Sequence, residues 1–148
     1  MSIPRLLHQT WKTKEVPGHY RAYVESSLKF LKGWEYKLWD DADNRNLVAT
    51  RYPALLEFYD SLPRPIMRAD MIRYLIMDSF GGMYMDLDYE LLGEIPDFYF
   101  QKNIVLPISR EADPSKGYEE LMLGNCIFAS QAGHPFWMKA IETLVEKA

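Results

Sequence analysis

Residues 70–88 carry the most telling pattern of apolar and polar positions in the chain: a hydrophobic helical stretch, a Gly81-Gly82 turn, and a strand-like run ending in Asp86 and Asp88. Pro65 suits the first helical position, where its missing N–H is not needed, and Gly81 suits the C-cap. Upstream, residues 3–9 form an apolar run with polar residues at the far end, the pattern of a buried strand whose tip, Thr10 and Trp11, emerges into a cleft. Tyr20, Tyr23, Val24, Ser27, Leu28 and Leu31 share one helical stripe that ends near Gly33. Residues 34–39 alternate aromatic or apolar with charged positions, which predicts a half-buried strand terminated by Asp40 and Asp41. Asp41 or Asp43 then caps a short helix through Leu47 and Val48, and a further turn or two follows Pro53. Downstream, residues 91–99 read as loop, 103–108 as a strand, and 109–117 as a mobile surface loop. Residues 125–130 read as a strand, and Pro135 opens a final amphipathic helix bearing Phe136, Ile141, Leu144 and Val145.

Strands alternating with helices predict an α/β sandwich with a mostly parallel central sheet, in which ligands bind beyond the carboxyl ends of the strands. That rule gathers Gln9, Thr10 and Trp11, the end of the second strand, and Asp86 with Asp88 along one rim. With 148 residues and 48% hydrophobic content, one domain over 1–148 is expected. The net charge of −4 argues against a nucleic-acid partner, which needs a basic face, so any anion site is local. Cys126 is the single cysteine; it excludes an internal disulfide and fits a reducing, cytoplasmic compartment. No apolar run approaches the roughly 20 residues of a membrane span, and residues 1–11 lack the apolar core of a signal peptide. His8, His19 and His134 have no ligand spacing, which argues against zinc.

Within a strand, Tyr84, Asp86 and Asp88 would share one side. Two carboxylates held together repel unless a cation offsets them, and Mg2+ or Mn2+ is the natural partner for oxygen ligands. The plainer alternative is the polar face of an exposed strand or turn. Asp70, Arg73 and Tyr74 lie one helical turn apart and are expected to face one cleft; the plainer alternative is a surface ion pair. Arg64, Arg68 and Arg73 concentrate cation near the carboxylates. Metal plus guanidinium is what a diphosphate requires. Trp11 at a strand tip is suited to stacking on a base or sugar, or to a rim position; Trp34 and Trp39 suit the core, and His8 a structural role. Asn125 fits either a sugar hydroxyl or a turn.

Taken together, residues 3–11, 34–41, 125–130 and 133–136, with Arg68-Ala69-Asp70-Met71-Ile72-Arg73-Tyr74 running into Gly81-Gly82-Met83-Tyr84-Met85-Asp86-Leu87-Asp88, resemble the DXD-containing glycosyltransferases of family 32. That family includes initiating α-1,6-mannosyltransferases and capsule-type sugar transferases and is distantly similar to glucosylating clostridial toxins. The resemblance implies a GT-A fold, a UDP- or GDP-sugar donor, a saccharide or other hydroxyl acceptor, a divalent metal (usually Mn2+) and retention of anomeric configuration. It implies that Asp88 ligates the metal, with Asp86 on the metal or on the donor's ribose and sugar. Asp70 and Arg73 would hold the donor sugar, Tyr84 would line the donor pocket, and Trp11 would lie against the base with Gln9 and Thr10 beside it. Retention leaves open front-face attack or a covalent carboxylate intermediate. Family members continue past the helix after His134, so the chain is expected to lack a C-terminal portion. A longer native chain would admit peripheral membrane association or a Golgi-type lumen. The first rival is therefore a donor-binding module that is catalytically incomplete. A metal-dependent phosphotransferase or hydrolase is the second, and it lacks a visible nucleophile or glycine-rich phosphate loop.

Overall fold

A computed structural model describes residues 2–148; Met1, the first residue of the expected domain, lies outside the described residues. β1 (Leu6–Thr10) pairs in parallel with β2 (Glu35–Trp39) on one side and with β3 (Gly82–Met85) on the other. α1 (Gly18–Lys29) connects β1 to β2, while α2 (Asp41–Arg51), α3 (Leu56–Ser61) and α4 (Pro65–Phe80) connect β2 to β3. β4 (Ile104–Val105) and β7 (Ile127–Ser130) complete a five-stranded sheet in the order β2-β1-β3-β7-β4. Only β7 runs against the others, so the mostly parallel α/β sandwich expected from the pattern is present. Leu7, Met83, Met85 and Ala129 pack on the α1 face. The opposite face meets α4 and α5 (Pro135–Lys147), with Tyr84, Phe128 and Trp137 in one aromatic cluster.

Four elements depart from the sequence reading. β2 lies at the sheet edge, so Glu35, Tyr36 and Lys37 are exposed and only Trp39 is fully buried. The cap of α2 is Asp40, not Asp41 or Asp43: its carboxylate accepts the Asp43 N–H while the Asp43 side chain accepts the Asp40 N–H. The strand over 103–108 is cut to two residues, and after Pro107, which has no N–H for a ladder, the chain leaves the sheet. It then forms β5 (Ile108–Arg110), which pairs with β6 (Met122–Leu123), so residues 109–117 belong to a small folded hairpin.

α4 delivers the chain to β3 through a junction that only glycine tolerates. Gly81 (φ 64°) and Gly82 (φ 97°) are left-handed, and a Cβ on Gly82 would lie 2.5 Å from the Leu6 carbonyl oxygen. This close approach lets β3 enter beside β1 and sets the place at which residues 86–88 leave the sheet.

His8 is structural, as its sequence position suggests. Trp39 Nε1 donates to its Nδ1 (3.1 Å), so the proton sits on Nε2, which donates to the Gly81 carbonyl (2.9 Å). Burial lowers its pKa from 6.5 to about 4. The unfolded chain takes up this proton near pH 6.5 and the native one does not. The His8 contribution is therefore complete above that pH and is lost as pH falls toward 4, by about 3 kcal/mol. NMR of the native protein is expected to show no His8 titration above about pH 5; a midpoint near 6.5 would contradict this buried, neutral state.

Candidate functional site

A cavity of about 450 Å³ opens at the carboxyl ends of β1 and β3. Of the residues singled out from sequence, Thr10, Trp11, Asp70, Arg73, Asp86, Asp88 and Asn125 line it. They converge because β1 and β3 are neighbours in the sheet and the first half of α4 lies beside their ends.

Arg73 is the hub. Its side chain is only 5% exposed, and its Nη2 and Nη1 reach Asp70 (3.3 Å) and Asp86 (3.1 Å) respectively. Nη1 also donates to the Asn125 carbonyl (2.6 Å) and Nε to the Ala69 carbonyl (3.2 Å), with the guanidinium 4.6 Å above the Tyr84 ring. A guanidinium held by so many partners has little freedom to swing. Asp86 Oδ1 receives both Arg73 and the Tyr84 hydroxyl (2.6 Å). Burial pushes the Asp86 pKa up, and the neighbouring charges of Asp88 and Asp70 act in the same direction, while Arg73 and Tyr84 oppose them. Burial likewise pushes Tyr84 above the ordinary tyrosine range, so it stays a donor.

β3 ends at Met85, so Asp86 and Asp88 are not aligned by strand alternation. They occupy a turn closed by the Tyr89 N–H donating to the Asp86 carbonyl (3.1 Å). The turn brings both carboxylates to the same cavity, with Asp88 exposed. Among the described residues no cluster of three or more His, Cys, Asp or Glu could hold a metal. The carboxylates of Asp86 and Asp88 are the kind of hard oxygen donors that would suit a divalent cation.

Several expected residues stand elsewhere. Gln9 and Tyr84 lie behind the cavity wall: Gln9 is fully buried with both ends of its amide bonded, and Tyr84 bonds to Asp86 and approaches Thr10 Oγ1 (3.4 Å). Tyr74 does not line the cavity: its ring stacks on Trp137 at 5.7 Å, while its hydroxyl hydrogen-bonds Asn125 on the cavity wall. Arg68 donates to the Leu62 carbonyl and Arg64 is an exposed N-cap, so Arg73 alone of the three arginines reaches the site. Asp41, after the second strand, lines the cavity as the strand-end rule expects, and Lys12, Tyr20 and Asn44, which the sequence did not single out for the site, line it too. Tyr20 meets Trp11 edge-on at 5.8 Å and holds its ring. Asn44 is buried beside Leu47 and Val48, with its Oδ1 lacking a partner. A polar residue on the buried stripe of a predicted helix was the available signal.

The family described as the glycosyltransferase sugar-binding region containing the DXD motif matches residues 17–106. This chain belongs to that family. The match includes Asp70, Arg73, Asp86 and Asp88, and leaves Trp11 and Asn125 outside it. The chain is 34% identical over 143 residues to inositol phosphoceramide mannosyltransferase 3 of Schizosaccharomyces pombe, covering 97% of this chain and 37% of the relative. It is 31% identical over 148 residues to mannosyl phosphorylinositol ceramide synthase SUR1 of Saccharomyces cerevisiae, covering 96% and 35% respectively. The chain thus spans well under half the length of the curated relatives it matches. The solved PaToxG glycosyltransferase superposes with a TM-score of 0.70 at 14% identity, over 98% of this chain and 61% of that one. The DXD-family chain accordingly has the GT-A type of fold. No helix among the described residues is long and apolar enough to cross a membrane.

Proposed function

We propose that this DXD-family chain is the donor-handling core of a metal-dependent, retaining glycosyltransferase that moves a sugar from a nucleotide-diphosphate sugar to a hydroxyl acceptor. The observation that carries the reading is Arg73, buried and fixed between Asp70 and Asp86 in the cavity that also holds Asp88 and Trp11. Trp11, steadied by Tyr20, offers a stacking face for the base. Asp41 adds a hydrogen-bond acceptor to the wall, which suits the adjacent N–H donors of guanine better than uracil. Asp70 would accept from sugar hydroxyls, and Arg73 would oppose charge on the leaving diphosphate.

A bound Mn2+ or Mg2+, held by Asp88 and Asp86, would supply a further positive charge against the diphosphate. The relatives' names specify mannosyl transfer to inositol phosphoceramide. That makes a mannosyl donor the first to try and a lipid-borne or saccharide hydroxyl the first acceptor.

Calorimetric titration of GDP, UDP and their sugars with and without Mn2+, followed by a donor-hydrolysis assay, tests the proposal. Mn2+-dependent binding, tighter for GDP than for UDP, with donor turnover is the expected result. Binding without hydrolysis or transfer would point instead to a donor-binding module. No nucleotide binding would overturn both.

A further inference from the structure

Gln9 is wholly buried in β1, one residue past the last β1–β3 pair, His8 with Tyr84. The main-chain ladder stops there, and the Gln9 side chain continues it: Nε2 donates to the Asp86 carbonyl at 3.3 Å. That carbonyl also accepts the Tyr89 N–H that closes the 86–89 turn. On the other side, Gln9 Oε1 accepts from the Tyr36 hydroxyl on edge strand β2 at 2.8 Å. The orientation of the amide follows from its partners. A backbone carbonyl only accepts, so Nε2 must face Asp86, and Tyr36 must donate. Burial pushes the Tyr36 pKa up to about 12, which keeps that donor protonated.

By strand alternation Gln9 shares the face of Leu7, in the apolar cluster with Met83 and Met85, where a methionine of the same length would avoid the desolvation cost of an amide. Asp86 is consequently gripped from three sides, its carboxylate by Tyr84 and Arg73, its N–H by the Cys126 carbonyl (2.8 Å) and its carbonyl by Gln9. Asp88, exposed and without a hydrogen bond or ion pair among the described residues, takes its position from the backbone of this turn alone.

We infer that Gln9 and Tyr36 form a positioning brace that fixes the turn bearing Asp86 and Asp88, so that metal-dependent nucleotide binding depends on two residues that do not touch the nucleotide. The inference rests on the donor-site reading above. Gln9→Met, Tyr36→Phe and the double variant test it in the full chain. The probe is GDP or UDP, whichever the wild type binds more tightly, titrated with and without Mn2+. Hydrogen exchange at the Tyr89 N–H is the second readout.

Gln9→Met is expected to lose about tenfold of the affinity gained from Mn2+ and to leave the Mn2+-free affinity within about twofold. Its Tyr89 N–H should exchange about tenfold faster while the Met83 amide is unchanged. Tyr36→Phe should show a smaller loss of the same kind, and the double variant should be no worse than Gln9→Met, because both act through one path. Tyr36 is at an exposed edge, so its variant carries the test if Gln9→Met does not fold.

Equal losses with and without Mn2+, an unchanged Mn2+ gain, or additive losses in the double variant would overturn the inference. A normal wild-type response with unaltered variants would overturn it alone. A wild type whose nucleotide affinity ignores Mn2+ would overturn the donor-site reading and this inference with it.

Discussion

Asp88→Ala is expected to abolish the Mn2+-dependent part of nucleotide affinity, a loss of about a hundredfold or more in the Mn2+-supported dissociation constant, with the melting temperature almost unchanged. The small structural effect follows from exposure: Asp88 makes no hydrogen bond or ion pair among the described residues, so its truncation leaves no partner stranded. The large functional effect follows from the donor set. Only Asp86 and Asp88 offer carboxylates for an ion in the 86–88 turn, and Asp86 already commits Oδ1 to Arg73 and Tyr84. With Asp88 gone, an ion would have one protein oxygen left, too few to compete with water. In the absence of Mn2+ the sign reverses. Removing a negative charge from the cavity should leave nucleotide affinity equal or slightly higher, because the diphosphate is no longer repelled. Calorimetry with and without Mn2+ separates the two effects, and an unchanged Mn2+-supported affinity would refute the metal role of Asp88.

Where the sequence was readable, local chemistry and tertiary structure agreed. Pro65 and Gly81 bracket α4 as their backbone preferences require, and the Gly81-Gly82 junction gains a second reason in the sheet, the closeness of Leu6. Trp11, Asp70, Arg73, Asp86, Asp88 and Asn125 do meet, because the topology rule for strand ends needs only the order of elements. The misreadings have tertiary causes. Tyr74 sits four residues after Asp70, but Trp137 of α5 takes its ring into an aromatic stack, and only its hydroxyl reaches the site, through Asn125. Arg68 looked like one of three clustered cations, yet the carbonyl of Leu62 is nearer to it than the cavity. Gln9 read as a rim residue because polarity at a strand end suggests exposure. Its amide is instead enclosed by β2 and the 86–89 turn, neither of which adjoins it in sequence. Asn44 is marked in the sequence only by its place on the buried stripe with Leu47 and Val48, a sign of burial that does not by itself say which cavity it lines.

Arg73→Met should lower both stability and function, and its pH dependence distinguishes it from an ordinary core defect. Methionine replaces much of the buried stem but provides no donors. Asp86, Asp70, and the carbonyls of Asn125 and Ala69 all lose a partner. Breaking a buried pair from one side costs about 3–5 kcal/mol, and the lower end applies here because Asp70 is half exposed. Asp86 would respond by holding its proton more firmly, since Arg73 is the charge that now opposes the effect of burial. A carboxyl whose native pKa stands above its unfolded value binds more protons folded than unfolded. Its presence therefore destabilises the fold increasingly as pH rises through that interval. The deficit of Arg73→Met relative to wild type should accordingly be smaller near pH 5 than near pH 8, as measured by urea unfolding at both. For donor handling, loss of the fixed guanidinium should cut transfer or donor hydrolysis by about a thousandfold and weaken sugar-nucleotide binding more than nucleoside binding. Arg73→Lys, which keeps the charge but cannot span Asp70, Asp86 and the Asn125 carbonyl together, should fall between the two. Equal weakening of nucleoside and nucleotide-sugar binding would place Arg73 away from the diphosphate. A stability deficit independent of pH would show that Asp86 does not depend on it.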